Sequence, residues 1–104
     1  MVEEGSDLKT IVAIQGSPFA INLWEDRTRG EQWVPSYDSS EFVMTGDDFL
    51  RTTSNNAVDS GSRQFEFEAL QPGNHRLEFH KRMAWKFTDE DRRIFLVQVQ
   101  ESHS

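Results

Sequence analysis

The chain has 104 residues and a formal net charge of −7, with 18 acidic against 11 basic side chains and no cysteine. That length suits a single domain over residues 1–104, able to bury one core without metal or disulfide staples, and the missing cysteine excludes thiolate chemistry. Acidity spread along the chain disfavours nucleic acid and anionic membrane and favours a partner with a basic or neutral rim, while no apolar run approaches the roughly 20 residues of a bilayer span.

Period-two alternation recurs and helical periodicity does not. Leu8 to Ile14 is apolar and rich in β-branched residues. Phe19 to Leu23 alternates, placing Phe19, Ile21 and Leu23 on one face and turning Trp24 the other way, to the rim. Gln32 to Tyr37 reads as a short strand in which Trp33 is a core residue and Pro35 suits only an edge or a bulge. Glu41 to Thr45 and Asp48 to Thr53 are two short strands, or one interrupted at Gly46. Arg63 to Ala69 sends Phe65, Phe67 and Ala69 inward and Glu66 and Glu68 outward. His75 to Lys81 buries Leu77 and Phe79, and Arg93 to Gln100 puts Phe95, Val97 and Val99 on one face and Ile94 and Leu96 on the other. Turn signals fall at Gln15 to Pro18, Thr52 to Ser62, Gln71 to Asn74 and Phe87 to Arg92. The expected fold is all-β, an antiparallel sandwich of about seven to eight strands.

The opening MVEEGSDLK has no basic region followed by an apolar run, so as written the chain is expected in the cytoplasm, and in a secreted or periplasmic setting if a leader was trimmed. Side chains that carry chemistry do not converge. His75, His80 and His103 share no metal-ligand spacing. Asp47-Asp48 and Asp89-Glu90-Asp91 lack a calcium-loop pattern and read as solvated surface. Glu66, Glu68 and Glu78 are placed near one another across neighbouring strands, yet nothing supplies the apolar pocket that would move their pKa values apart. Asp59-Ser60-Gly61 reads as a turn, since no Gly-x-Ser-x-Gly elbow is present. No cofactor is expected.

Long connections on a rigid scaffold are where binding function concentrates. If Phe42 to Thr53 is one bent strand, the polar connections Trp24 to Glu31, Ser54 to Ser62 and Arg82 to Arg92 fall at one edge of the sandwich. Gly30 permits a positive φ or a close backbone approach. Thr28, small and uncharged, can enter a narrow cleft without burying a charge. Trp85, flanked by Arg82, Lys86 and Phe87, combines the residue types most often responsible for binding energy at interfaces.

The stretches Asp26-Arg27-Thr28-Arg29-Gly30-Glu31-Gln32-Trp33, Val58-Asp59-Ser60-Gly61 and Met83-Ala84-Trp85 together resemble the chagasin family of inhibitors of papain-like cysteine peptidases. Family members carry Asn-Pro-Thr-Thr-Gly-aromatic-x-Trp, Gly-x-Gly-Gly and Arg-Pro-Trp in three recognition loops. Thr28, Gly30 and Trp33 match the first motif and Asp26 nearly so; Gly61 matches the second; Trp85 matches the third, with Arg82 one position early. The Asn-Pro pair and most of the glycines are replaced. The resemblance implies an immunoglobulin-like sandwich that catalyses nothing, binds a papain-like cysteine peptidase and is monomeric when free. It also implies a binding surface of Asp26, Arg27, Thr28, Arg29, Gly30 and Glu31, of Asp59, Ser60 and Gly61, and of Arg82, Met83, Ala84 and Trp85. The alternative is an immunoglobulin-like protein-interaction module without peptidase inhibition.

Overall fold

Strands form where apolar and polar side chains alternate, and their pairing decides which faces meet. The computed structural model describes residues 7–27, 30–51, 60–83 and 89–102. Among them seven strands follow in chain order: β1 (Asp7–Ile14), β2 (Pro18–Asp26), β3 (Glu31–Ser36), β4 (Phe42–Arg51), β5 (Ser60–Ala69), β6 (Gly73–Met83) and β7 (Asp89–Gln100). They build a four-stranded sheet of order β1-β7-β6-β3 and a three-stranded sheet of order β2-β5-β4, an all-β sandwich of immunoglobulin-like type. Among the described residues no helix is long and apolar enough to cross a membrane.

Three points correct the sequence reading, and one, the second below, decides between the two alternatives it left open at Gly46. First, β1 and β7 run parallel, with Asp7 opposite Arg93 and Ile14 opposite Gln100, so the sandwich is not wholly antiparallel. The turn after β1, closed by Ser17 N–H donating to the Ile14 carbonyl (2.9 Å) and pinned by Gly16 N–H to the Ala69 carbonyl (2.9 Å), carries the chain from one sheet to the other. β2 therefore cannot return as a hairpin partner, and β1 takes the open edge of β7 instead. Second, the region from Phe42 is one strand with a bulge between Met44 and Gly46; a Cβ on Gly46 would stand 3.2 Å from Glu66 Cβ, so a glycine admits the close approach. Third, Asp89 to Arg92 is strand and not turn, because Lys81 and Arg82 supply ladder partners to Asp91 and Asp89. Fourth, Glu78 lies in the four-stranded sheet while Glu66 and Glu68 lie in the other, so the three carboxylates do not share neighbouring strands.

Inward positions of both sheets fill the space between them. Phe42, Phe65, Phe67, Leu77, Phe79 and Val97 are wholly buried, and Trp33 nearly so. Phe65 and Phe79 meet across the two sheets with ring centroids 4.9 Å apart, and Phe67 meets Phe79 edge-on at 6.1 Å. Such contacts add about 0.5–1.5 kcal/mol each beyond area burial. Pro35 lies on β3, an edge strand, where its missing N–H removes no bond from the sheet interior.

Candidate functional site

Strand register places the three connections. In the three-stranded sheet Asp26 stands opposite Ser60, Glu25 opposite Gly61, and Arg51 opposite Gly61 from the other side. The end of β2, the end of β4 and the start of β5 are thus side by side. In the four-stranded sheet Glu31 faces Met83 and Arg82 faces Asp89, which aligns the start of β3, the end of β6 and the start of β7. Hydrogen bonds tie these two sheet ends together: Trp33 N–H donates to Glu25 Oε2 (2.8 Å), Asp26 N–H to Glu31 Oε1 (3.1 Å), and Trp33 Nε1 to the Trp24 carbonyl (2.7 Å). The chain accordingly leaves and re-enters the sandwich at one end for all three connections.

The candidate contact residues distribute as follows. Asp26 ends β2, Glu31 begins β3, Ser60 and Gly61 begin β5, and Arg82 and Met83 end β6. These residues are strand termini and not free loop, because each has a partner across the ladder. Arg27 and Gly30 close a tight turn through Gly30 N–H donating to the Arg27 carbonyl (3.0 Å). Gly30 adopts φ +76°, a conformation in which a side chain is strained. Arg27 and Arg82 are exposed, Asp26 and Gly30 half-buried, and Glu31, Gly61 and Met83 buried. Thr28, Arg29, Asp59, Ala84 and Trp85 lie outside the described residues. The described candidates are therefore gathered at one end, some facing outward and some holding that end from beneath.

Beneath it lies a charged cluster that motif reading passed over. Glu25 is wholly buried. Its Oε2 accepts from Arg63 Nη1 (2.8 Å) as well as from the Trp33 amide, and its Oε1 accepts from Arg27 Nε (2.9 Å). Arg63, also buried, reaches on to Asp47 of β4 with Nε on Oδ1 and Nη2 on Oδ2 (2.9 Å). The hydrogen bond from Arg63 holds the Asp47 carboxyl below the usual carboxylate range, and the same bond raises Arg63 above the ordinary arginine value while burial opposes it. Arg27 lays its guanidinium over the Phe49 ring, 3.8 Å from the centroid, and Glu31 Oε2 faces Lys81 Nζ at 3.8 Å. Buried charge is tolerated only when paired and hydrogen-bonded, and here the pairing joins β2, β3, β4 and β5 around the turn at Arg27 to Gly30. Strand parity carried the signal: Leu23 and Phe65 point inward, so Glu25 and Arg63, two residues along, must as well.

Neither His75 nor His80 is part of this cluster: His75 Nδ1 is 3.2 Å from Glu41 and His80 Nε2 3.6 Å from Glu78. Among the described residues no group of three or more His, Cys, Asp or Glu side chains is arranged to hold a metal ion.

Residues 13–99 match the family model described as chagasin family peptidase inhibitor I42. No curated protein matches the chain at the level of sequence. Among solved structures, the cysteine protease inhibitor EhICP2 from Entamoeba histolytica is similar with a TM-score of 0.78 at 15% identity, over 90% of this chain and 88% of that one. Amebosin in solution is similar with a TM-score of 0.66 at 19% identity, over 92% of this chain and 100% of the other. PbICP-C, solved in complex with falcipain-2, is similar with a TM-score of 0.66 at 14% identity, over 96% and 95% of the two chains. At such identities the structures speak for the fold, and it is the family model, covering most of the sequence, that decides membership: the chain belongs to the chagasin family of peptidase inhibitors.

Proposed function

We propose that the chain inhibits papain-like cysteine peptidases by occlusion, seating the end of the sandwich where the three connections meet in the active-site cleft. The observation that carries the reading is the register: the stretches that resemble the family's three recognition motifs leave and re-enter the fold side by side. EhICP2 is described as a cysteine protease inhibitor, and PbICP-C was solved with falcipain-2; both share this fold. In this mechanism Thr28 enters the cleft near the catalytic Cys and His of the peptidase, and the connections at Gly61 and Trp85 grip its walls. The inhibitor itself catalyses no reaction. The carboxylates of Glu25, Glu31 and Asp47 at this end are engaged by arginine, lysine or backbone donors, which suits a rigid support. Such a surface covers roughly 800 Å² per partner, and its affinity depends on how little must be ordered on binding. The cluster around Glu25 supplies that order in advance.

Titration of the purified chain into papain with a fluorogenic peptide tests the reading. Stoichiometric loss of activity is expected, and full activity at micromolar excess of the chain refutes it. Within that assay Trp85→Ala is expected to weaken inhibition about 30-fold or more, the size of a tryptophan hot spot, with the melting temperature nearly unchanged. Equal losses of inhibition and stability would instead make Trp85 a core residue.

A further inference from the structure

The outer face of the three-stranded sheet carries a row that the motif reading does not absorb. Trp24 on β2 stands opposite Ser62 on β5, and Ser62 stands opposite Leu50 on β4. Trp24 is 56% exposed and Leu50 52%. The outer strands of three lie roughly 9–10 Å apart, and the residue between them here is a small serine. An indole and an isobutyl group therefore wall a shallow apolar trough wide enough for one side chain of a partner. The backbone beneath Trp24 is fixed, because its carbonyl accepts the hydrogen bond from Trp33 Nε1 (2.7 Å).

This apolar row lies at the rim, and exposed Val43 and Met44 lie at the far end of β4. The next row away from the rim is Asn22, Gln64 and Asp48, followed by Ala20, Glu66 and Gly46, a polar and acidic face suited to water. On the rim side the inward-facing pair Glu25 and Gly61 and then the pair Asp26 and Ser60 separate Trp24 from the connection that contains Thr28, a rise of about 10 Å along the strand to Arg27. Tryptophan this exposed is uncommon on a free monomer surface and enriched at interfaces. Its position makes it continuous with the end assigned above to the peptidase.

We propose that Trp24, Ser62 and Leu50 form a lateral contact surface for the peptidase, receiving an apolar side chain from the shoulder of the active-site cleft once the rim is seated. The proposal rests on the inhibitory reading and adds to it a contact outside the three recognition motifs. Specificity among papain-like peptidases follows from it, because the shoulder of the cleft need not take part in catalysis and is free to differ between enzymes.

The test is the double variant Trp24→Gln, Leu50→Gln, titrated into papain beside the wild-type chain. The inhibition constant is expected to rise about tenfold or more, chiefly through faster dissociation, with the melting temperature within a few degrees because both side chains are more than half exposed. Equal inhibition by variant and wild type overturns this proposal and leaves the inhibitory reading standing. Failure of the wild-type chain to inhibit removes both. A wild-type dimer in sedimentation that the variant abolishes assigns the row to a second copy of the chain and overturns the proposal as well.

Discussion

Replacing Glu25 by alanine tests the buried cluster most directly. The side chain is wholly buried and accepts three donors: Trp33 N–H at 2.8 Å, Arg63 Nη1 at 2.8 Å and Arg27 Nε at 2.9 Å. The losses are unequal. Arg27 is exposed enough for water to replace its partner, so that pair contributes under about 1 kcal/mol. The Trp33 amide is buried, and leaving it unpaired costs about 1–3 kcal/mol. Arg63 retains Asp47 but loses a charge-assisted bond on its inward side, about 1.5–3 kcal/mol more. The sum, about 4 kcal/mol, falls within the 3–5 kcal/mol seen when one member of a buried pair is removed. Set against a typical domain stability of about 5–15 kcal/mol, that is a large fraction. At about 4–8 °C per kcal/mol for a domain of this size, it lowers the melting temperature by about 15–30 °C. Thermal unfolding followed by circular dichroism measures it, with Glu101→Ala at an exposed position as a control that should move by no more than about 0.5 kcal/mol. Glu25→Gln keeps one carbonyl acceptor and should fall between the two. An alanine variant melting within about 5 °C of wild type would show that the carboxylate is not a structural support, and the pre-ordering argument would fail with it.

Asp47 gives a pH dependence of defined sign. Its carboxyl is held below the ordinary value of 3.8, first by the hydrogen bond from Arg63, so the stability it contributes is fully present above that value and is lost as pH falls through it toward the depressed folded one. Asp47→Asn should therefore be less stable than wild type at pH 7, and the gap in urea midpoints should narrow below about pH 4; a gap that stays constant contradicts the assignment. Gly30→Ala places a side chain at φ +76°, at a cost of about 1 kcal/mol. If this turn enters the cleft as proposed, inhibition should drop by more than stability; melting temperature and inhibition constant measured on the same preparation separate the two.

Side-chain parity made much of the fold legible. Leu23 and Trp24 part to opposite faces, Phe65, Phe67 and Ala69 line the core, Trp33 is buried, and Pro35 lies on an edge strand. What the sequence hid has two physical sources. The parallel pairing of β1 with β7 joins the two ends of the chain, and nothing local in Leu8 to Ile14 records which edge it will join. The termini of β5, β6 and β7 are rich in charge and serine, which reads as loop. They are strand because ladder partners exist across the sheet, and an exposed polar side chain on a paired backbone loses little. The same preference for reading charge as surface concealed Glu25 and Arg63. Spacing placed the three connections at one end of the sandwich, whereas the ion pairs beneath them depend on β2, β4 and β5 being neighbours.

That neighbourhood also changes what the net charge of −7 means. Read as a uniform field, it favours a partner with a basic or neutral rim. In the fold, both signs meet at the rim, where Glu25, Asp26, Glu31 and Asp47 stand among the basic side chains. Arg27, Arg51, Arg63, Lys81 and Arg82 lie at the rim ends of their strands or in the turn between them, and Arg29 and Lys86 belong to the connections themselves. Asp38, Glu41, Glu66, Glu68 and Glu101 fall in the opposite half, toward the turns that join β1 to β2, β3 to β4 and β5 to β6. Charges screen one another over about 8–10 Å at ordinary salt, so a partner docking on the rim experiences the local mixture and little of the distant acid. Net charge in this molecule therefore governs solubility, and the sign of the target's rim is set by the few side chains that meet it.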